Sequence, residues 1–137
     1  MDSRPSFDEV LSQAIDDALT SIGEKPKNAI YFHLEKDHAL SRKEIPRRIA
    51  DFSEALDKIF GFGARNLEIL FMKHLHERIR DLYDVAAGDW LVPQLTFEQY
   101  VDSMRMSFEK AAKKEEVVVE FLINEREERE QIKKQDS

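Results

Sequence analysis

Apolar and polar positions alternate with a helical period along most of the chain. Phe7, Val10, Leu11, Ala14, Ile15, Ala18, Leu19 and Ile22 recur at three- and four-residue spacing, which places them on one helical face. Ser6 stands three residues before Glu9, the spacing of a capping box that satisfies orphan amides of the first turn. Gly23 ends the run with the left-handed stop that glycine takes cheaply. A second helix opens near Pro26, whose missing amide proton has no helical partner in a first turn. Ala29, Ile30, His33 and Leu34 face inward there, with Tyr31 and Phe32 on the shoulders. Ser41 and Glu44 make another capping pair, opening a single turn that Pro46 cuts short. A third helix from about 47 to 60 buries Ile49, Phe52, Ala55, Leu56 and Ile59. Beyond Gly61 and Gly63 a fourth carries Leu67, Leu70, Phe71, His74, Leu75 and Ile79 inward.

Periodicity lapses over 84–95, where Gly88 and Pro93 predict a loop, pinned to the body by the single tryptophan, Trp90. It returns at Thr96, which forms a third capping box with Gln99. No glycine or proline interrupts 96–133. One straight helix of that length spans over about 50 Å, against a width of about 35 Å for a domain of this size. Phe97, Val101, Met104, Phe108, Ala111, Val118 and Leu122 follow a heptad-like seam with a skip at Glu115. Two helices hinged at 113–116, or a strand over 117–123, are the alternatives. The remainder, 124–137, is a charged, solvated tail.

The stretch "IFGFGARN" (59–66) invites a phosphate-loop interpretation, and its surroundings reject it. A dinucleotide loop needs a third glycine where Asn66 stands, and a strand before it where a helix is predicted. A P-loop needs a lysine–hydroxyl pair after its last glycine, and Ala64 and Arg65 follow Gly63. The glycines therefore read as a joint between helices. Metal chemistry is as thinly supported. His74 and His76 are two apart, on nearly opposite faces; the positions four away from them hold Leu70, Arg78, Met72 and Arg80, and His33 and His38 are five apart. His74, on the apolar face, reads as the hydrogen-bonded core histidine. The sequence thus predicts no catalytic residue, no cofactor and no metal, and so no enzyme.

Composition narrows the class further. The chain has 137 residues, 42% hydrophobic and 36% charged, enough for one core and too charged for a membrane span. Cysteine is absent, which removes disulfides and thiolate sites. With no signal-like N-terminus, a cytoplasmic location is expected. The net charge of −7 disfavours nucleic acid as a partner, except at a local basic patch. Arg42, Lys43, Arg47 and Arg48 supply one, and a transcriptional regulator touching DNA through 42–48 is the alternative function. The helix that follows carries Asp51, Glu54 and Asp57 and lacks side chains suited to base edges, which weakens that alternative.

Three pieces carry a family resemblance: "ALTSIGEKPKNAIYFHLEK" (18–36), "EIPRRIADFSEALDKIFGFGA" (44–64) and "LEILFMKHLHERI" (67–79). The most distinctive positions are Phe52, Leu56, Ile59, Phe60, Gly61, Gly63 and Ala64. Over about 19–79 the chain resembles the archaeal Nitrosopumilus output domain, a small helical domain found alone and beside sensor or regulatory domains. The resemblance implies an archaeal source and a signalling context. It implies no chemistry, because the matching residues belong to core and turns.

The resulting expectation is an all-α protein: a bundle of about four helices plus a long C-terminal helix, forming one domain over 1–123. Its function is expected to be protein interaction or signal output, with self-association as a homodimer. Met104, Phe108, Val118, Phe121 and Leu122 are the candidate association residues, since the distal apolar set lies beyond what a small body can cover.

Overall fold

Phe52, Phe71 and Phe97 meet at the centre of the molecule, ring centroids 5.6 Å, 5.8 Å and 6.3 Å apart. Each comes from a different helix, so the cluster joins three elements at one point. The structure, a computed structural model, describes residues 4–83 and 95–135, with side chains to residue 132. The chain order is α1 (Phe7–Ile22), α2 (Glu24–His38), a 3₁₀ turn (Ile45–Arg47), α3 (Ile49–Phe60), α4 (Gly63–Tyr83) and α5 (Phe97–Gln135). No strand occurs among the described residues, and the fold is all-α.

Helix α1 buries seven residues of its apolar stripe, from Phe7 to Leu19, chiefly against α4. Ser6 Oγ accepts the Glu9 amide at 3.2 Å, as the capping pattern predicts. Gly23 closes α1 and opens α2 in one residue. Its amide donates to the Leu19 and Thr20 carbonyls, and its carbonyl accepts from Lys27. The backbone there is extended at φ 141°, ψ 151°, and not the left-handed helical geometry expected. Only glycine enters that region without strain, and a Cβ would also lie 3.2 Å from Pro26 Cδ. Pro26 sits in the first turn of α2, where its lack of an N–H costs nothing.

Helix α2 is the least embedded element of the bundle: only Ile30 and Leu34 are buried. Ala29 and His33, expected inside, are exposed. The Ser41 amide donates to Glu44 Oε2 at 3.3 Å, and Pro46 is buried within the 3₁₀ turn. Helix α3 stops at Gly61, at φ 58°, ψ −123°. Two residues later α4 begins, and its buried face runs through Ala64, Glu68, Phe71, Met72, Leu75, His76 and Ile79.

Residues 97–135 form one helix, with neither a hinge at 113–116 nor a strand at 117–123. Val and Ile prefer strands only where a neighbouring strand receives them, and no strand occurs among the described residues. Thr96 and Gln99 cap the helix reciprocally, at 3.1 Å and 3.0 Å. The segment called a solvated tail continues the same helix through Gln135 and is exposed as far as side chains are described. Trp90 and its loop lie outside the described residues.

Candidate functional site

The two halves of α5 do different things. Phe97, Tyr100, Val101 and Phe108 are buried, and Met104 packs half-buried against the same core. Phe108 sits edge-on between Phe7 and Tyr83, with centroids at 5.6 Å and 5.2 Å. Those rings come from the start of α1 and the end of α4 and make a socket at the edge of the bundle. Phe108, expected to face a partner, is therefore 5% exposed and belongs to its own chain's core. Tyr100 donates to the Met72 carbonyl at 3.3 Å, and burial pushes its hydroxyl up to about 12.

Beyond Phe108 the body gives out. Arg4 pairs with Glu115 and stacks over the Tyr83 ring at 4.9 Å, holding the last turn that leans on the bundle. Val118, Phe121 and Leu122 are 49%, 64% and 56% exposed. Val117, Val119 and Ile123 are exposed as well. At about 100° per residue, these six positions cover an arc of about 240°, and Glu116, Glu120 and Asn124 fill the rest. That arc is far wider than the stripe of a surface helix, and wider than a simple two-helix seam uses.

The basic segment behaves otherwise. Arg42 pairs with Asp16 at 3.2 Å and lies over the Tyr31 ring at 3.9 Å. Tyr31 in turn donates to Asp16 at 3.1 Å, and burial followed by that carboxylate raises its pKa well above the phenol range. Arg47 reaches Asp8 at 3.3 Å, a carboxylate it shares with Arg105 at 2.9 Å. Arg48 binds Glu44 and Asp51, each at 3.0 Å, and donates to the Ala39 carbonyl at 2.9 Å. Of the four cations only Lys43 has no ion pair among the described residues. The cluster ties the 3₁₀ turn to α1 and α3, so little of its charge is left to release counterions from a nucleic acid.

Histidine placement differs from the periodic expectation by two residues: His76 is buried and His74 is only half-buried. No group of three or more His, Asp or Glu able to hold a metal occurs among the described residues. Glu68 is the one buried carboxylate of α4. Burial raises its pKa, Asp57 adds to the rise, and the 2.8 Å hydrogen bond from Ser53 Oγ and the nearby Arg65 oppose it. Ser53, Asp57, Arg65 and Glu68 open on a cleft of about 410 Å³ between α3, α4 and the start of α5. Ser53 Oγ and Glu68 satisfy each other in a polar contact between α3 and α4.

One feature was not legible in the sequence. An apolar groove of about 590 Å³ lies between α2 and the first two turns of α4. Pro26, Ala29 and Ile30 form one wall, Leu67 and Leu70 the other, and Ile59 and Phe60 close the end. His33 and Asn66 are its polar members. Phe62, between the two joint glycines, is wholly exposed beside it. Periodicity assigns Ile59, Leu67 and Leu70 to the core, whereas all three are only partly buried. The signals present were the thin apolar content of α2 and the Gly-Phe-Gly joint. No helix among the described residues is long and apolar enough to cross a membrane. No protein-family model matches the chain, and neither a curated protein nor a solved structure does.

Proposed function

We propose that this chain is a non-enzymatic interaction module that self-associates through the distal half of α5. The observation that carries the proposal is the uninterrupted helix that leaves the body after Glu115 with six large apolar residues exposed around most of its circumference. An apolar surface that broad is costly to leave in water and marks a contact face. A second copy is the commonest cover for such a face in a single-chain protein. The resemblance noted over 19–79 is in keeping with a signalling role, in which association state is the output.

Light scattering at micromolar concentration tests this directly. The expected mass is that of two chains or a multiple, and a mass of one chain ends the proposal. Leu122→Glu places a charge in the middle of the apolar arc, and the mass should fall toward one chain while helicity is retained.

A further inference from the structure

Among the described residues, and apart from the isolated Met106 and Ile132, the large apolar side chains left exposed fall into two groups. Val117, Val118, Val119, Phe121, Leu122 and Ile123 form one, on distal α5. Ile22, Phe32, Phe60 and Phe62 form the other, in and around the groove between α2 and α4. The first surface is convex and the second concave. Each chain carries one of each.

They cannot cover each other within one chain. The Tyr100–Met72 hydrogen bond and the Phe108–Tyr83 contact show that α4 and α5 run in the same direction. The groove lies at the start of α4, and the apolar segment lies beyond its end. From Leu67 to Tyr83 the helix rises about 24 Å, and from Phe108 to Glu120 about 18 Å more. The two surfaces are therefore separated by about 42 Å along a common axis.

We infer that the α2/α4 groove is the docking site for the 117–123 segment of α5 from a second copy of this chain. The inference rests on the self-association proposed above and specifies what that helix meets. Geometry favours this occupant first. An antiparallel copy displaced by about 42 Å lays its helix on this groove and receives this helix on its own. Both contacts close with one twofold axis, leaving neither surface bare. Helix-to-helix pairing would cover the convex group and leave the groove open.

Size points the same way. Six helix residues fall well short of the roughly 20–30 residues a side that a stable interface uses. Eleven residues line the groove, so groove and helix together give seventeen per copy, before the rim residues Phe32 and Phe62. Charge is complementary as well. Glu116 and Glu120 border the apolar arc. Lys25 and Lys36 lie on the outer row of α2 with Ala29 and Phe32, and Lys73 extends the Asn66–Leu70 row of α4. Among the described residues Glu116, Glu120, Lys25 and Lys73 are unpaired within their own chain, and docking brings the two signs together.

Because the chain has no cysteine, single-cysteine variants report the pairing cleanly. Asn66→Cys, in the groove, and Leu122→Cys, on the helix, are mixed with one of them isotope-labelled, and oxidised mildly. The expected product is a disulfide-linked pair containing one chain of each kind, with little product from either variant alone. If Leu122→Cys alone cross-links as well as the mixture, helix meets helix: the groove assignment is overturned and self-association survives. If the unmodified protein scatters as a single chain, both fall. Ala29→Glu supplies a second reading, because Ala29 is an exposed groove position whose substitution leaves the core intact. It should weaken dimerisation by about tenfold or more, and an unchanged dissociation constant overturns the assignment.

Discussion

The first and second halves of α5 share one uninterrupted backbone and differ in everything around it. From Phe97 to Phe108 the helix lies against α3, α4 and the start of α1. Phe97, Tyr100, Val101 and Phe108 are buried, Met104 is half-buried, and Met106 alone of its large apolar residues faces solvent. From Val117 to Ile123 the local sequence is more apolar, yet every large side chain is exposed. Hydrophobicity alone therefore does not say what is inside. Burial depends on which other elements reach that stretch, and α1 begins at Phe7 while α4 ends at Tyr83. The contrast separates residues that hold the fold from residues available to a partner.

The largest effect expected from breaking this contrast is in the proximal half and its neighbours. Phe71 has no exposed surface and touches Phe52 and Phe97, joining α3, α4 and α5. Phe71→Ala should lose about 3–5 kcal/mol, since the cavity adds to the lost transfer energy. Chemical denaturation followed by circular dichroism measures it, and a loss below about 1 kcal/mol would remove the aromatic cluster from the centre of the account. Leu122→Glu is the counterpart in the distal half. Stability of the separated chain should stay within about 0.5 kcal/mol of the parent, while association weakens by about tenfold or more. A variant that unfolds the body would show that the distal half is part of the fold after all.

How much of this was legible depends on whether the cause is local. The capping pairs Ser6–Glu9 and Thr96–Gln99 placed two helix starts, because a cap acts within one turn. Periodicity draws His74 inward where the structure buries His76, for a tertiary reason. That helix has two apolar faces, one toward the core through Met72, Leu75, His76 and Ile79, and one toward the groove through Leu67 and Leu70. A single periodic stripe merges them and draws His74 inward in place of His76. The groove itself follows from the spacing between α2 and α4, which no short pattern records. Phe108 was misplaced for the same kind of reason, since the seam from Phe97 to Leu122 is continuous while its covering is not.

A smaller effect sharpens the meaning of the joint at 59–66. Gly61 has φ 58° and ψ −123°, a conformation closed to residues with a Cβ, although the space around it is open. Gly61→Ala should cost about 1–3 kcal/mol through backbone strain alone. Gly63 is the first residue of α4, and a Cβ there meets Phe60 Cβ at an ordinary 3.6 Å. Gly63→Ala should be neutral or stabilising by up to about 1 kcal/mol. Equal losses at both positions would mean that the joint is set by close packing and not by the angles of one residue. Phe62, wholly exposed between them, should be replaceable by serine without loss of stability but with weaker association if the groove is an interface.

The smallest effect concerns Glu68, a carboxylate that the body holds where the distal half keeps its glutamates in solvent. Its pKa is raised above the ordinary 4.5, mainly by burial. In the window between 4.5 and that raised value, the unfolded chain has released the proton and the folded chain still holds it. Stability contributed by this group is therefore full below the window, declines as pH rises through it, and is flat above. Glutamine cannot ionise and still offers an oxygen to Ser53 Oγ, which donates to Glu68 at 2.8 Å. Glu68→Gln should thus be at least as stable as the parent at neutral pH, and the difference should shrink toward about pH 4. Ser53→Ala removes a hydrogen bond that opposes the rise, so it should push the pKa further up and widen the window. Denaturation midpoints compared across pH test both, and a Glu68→Gln difference that does not vary with pH would mean that the folded chain does not strain this carboxylate.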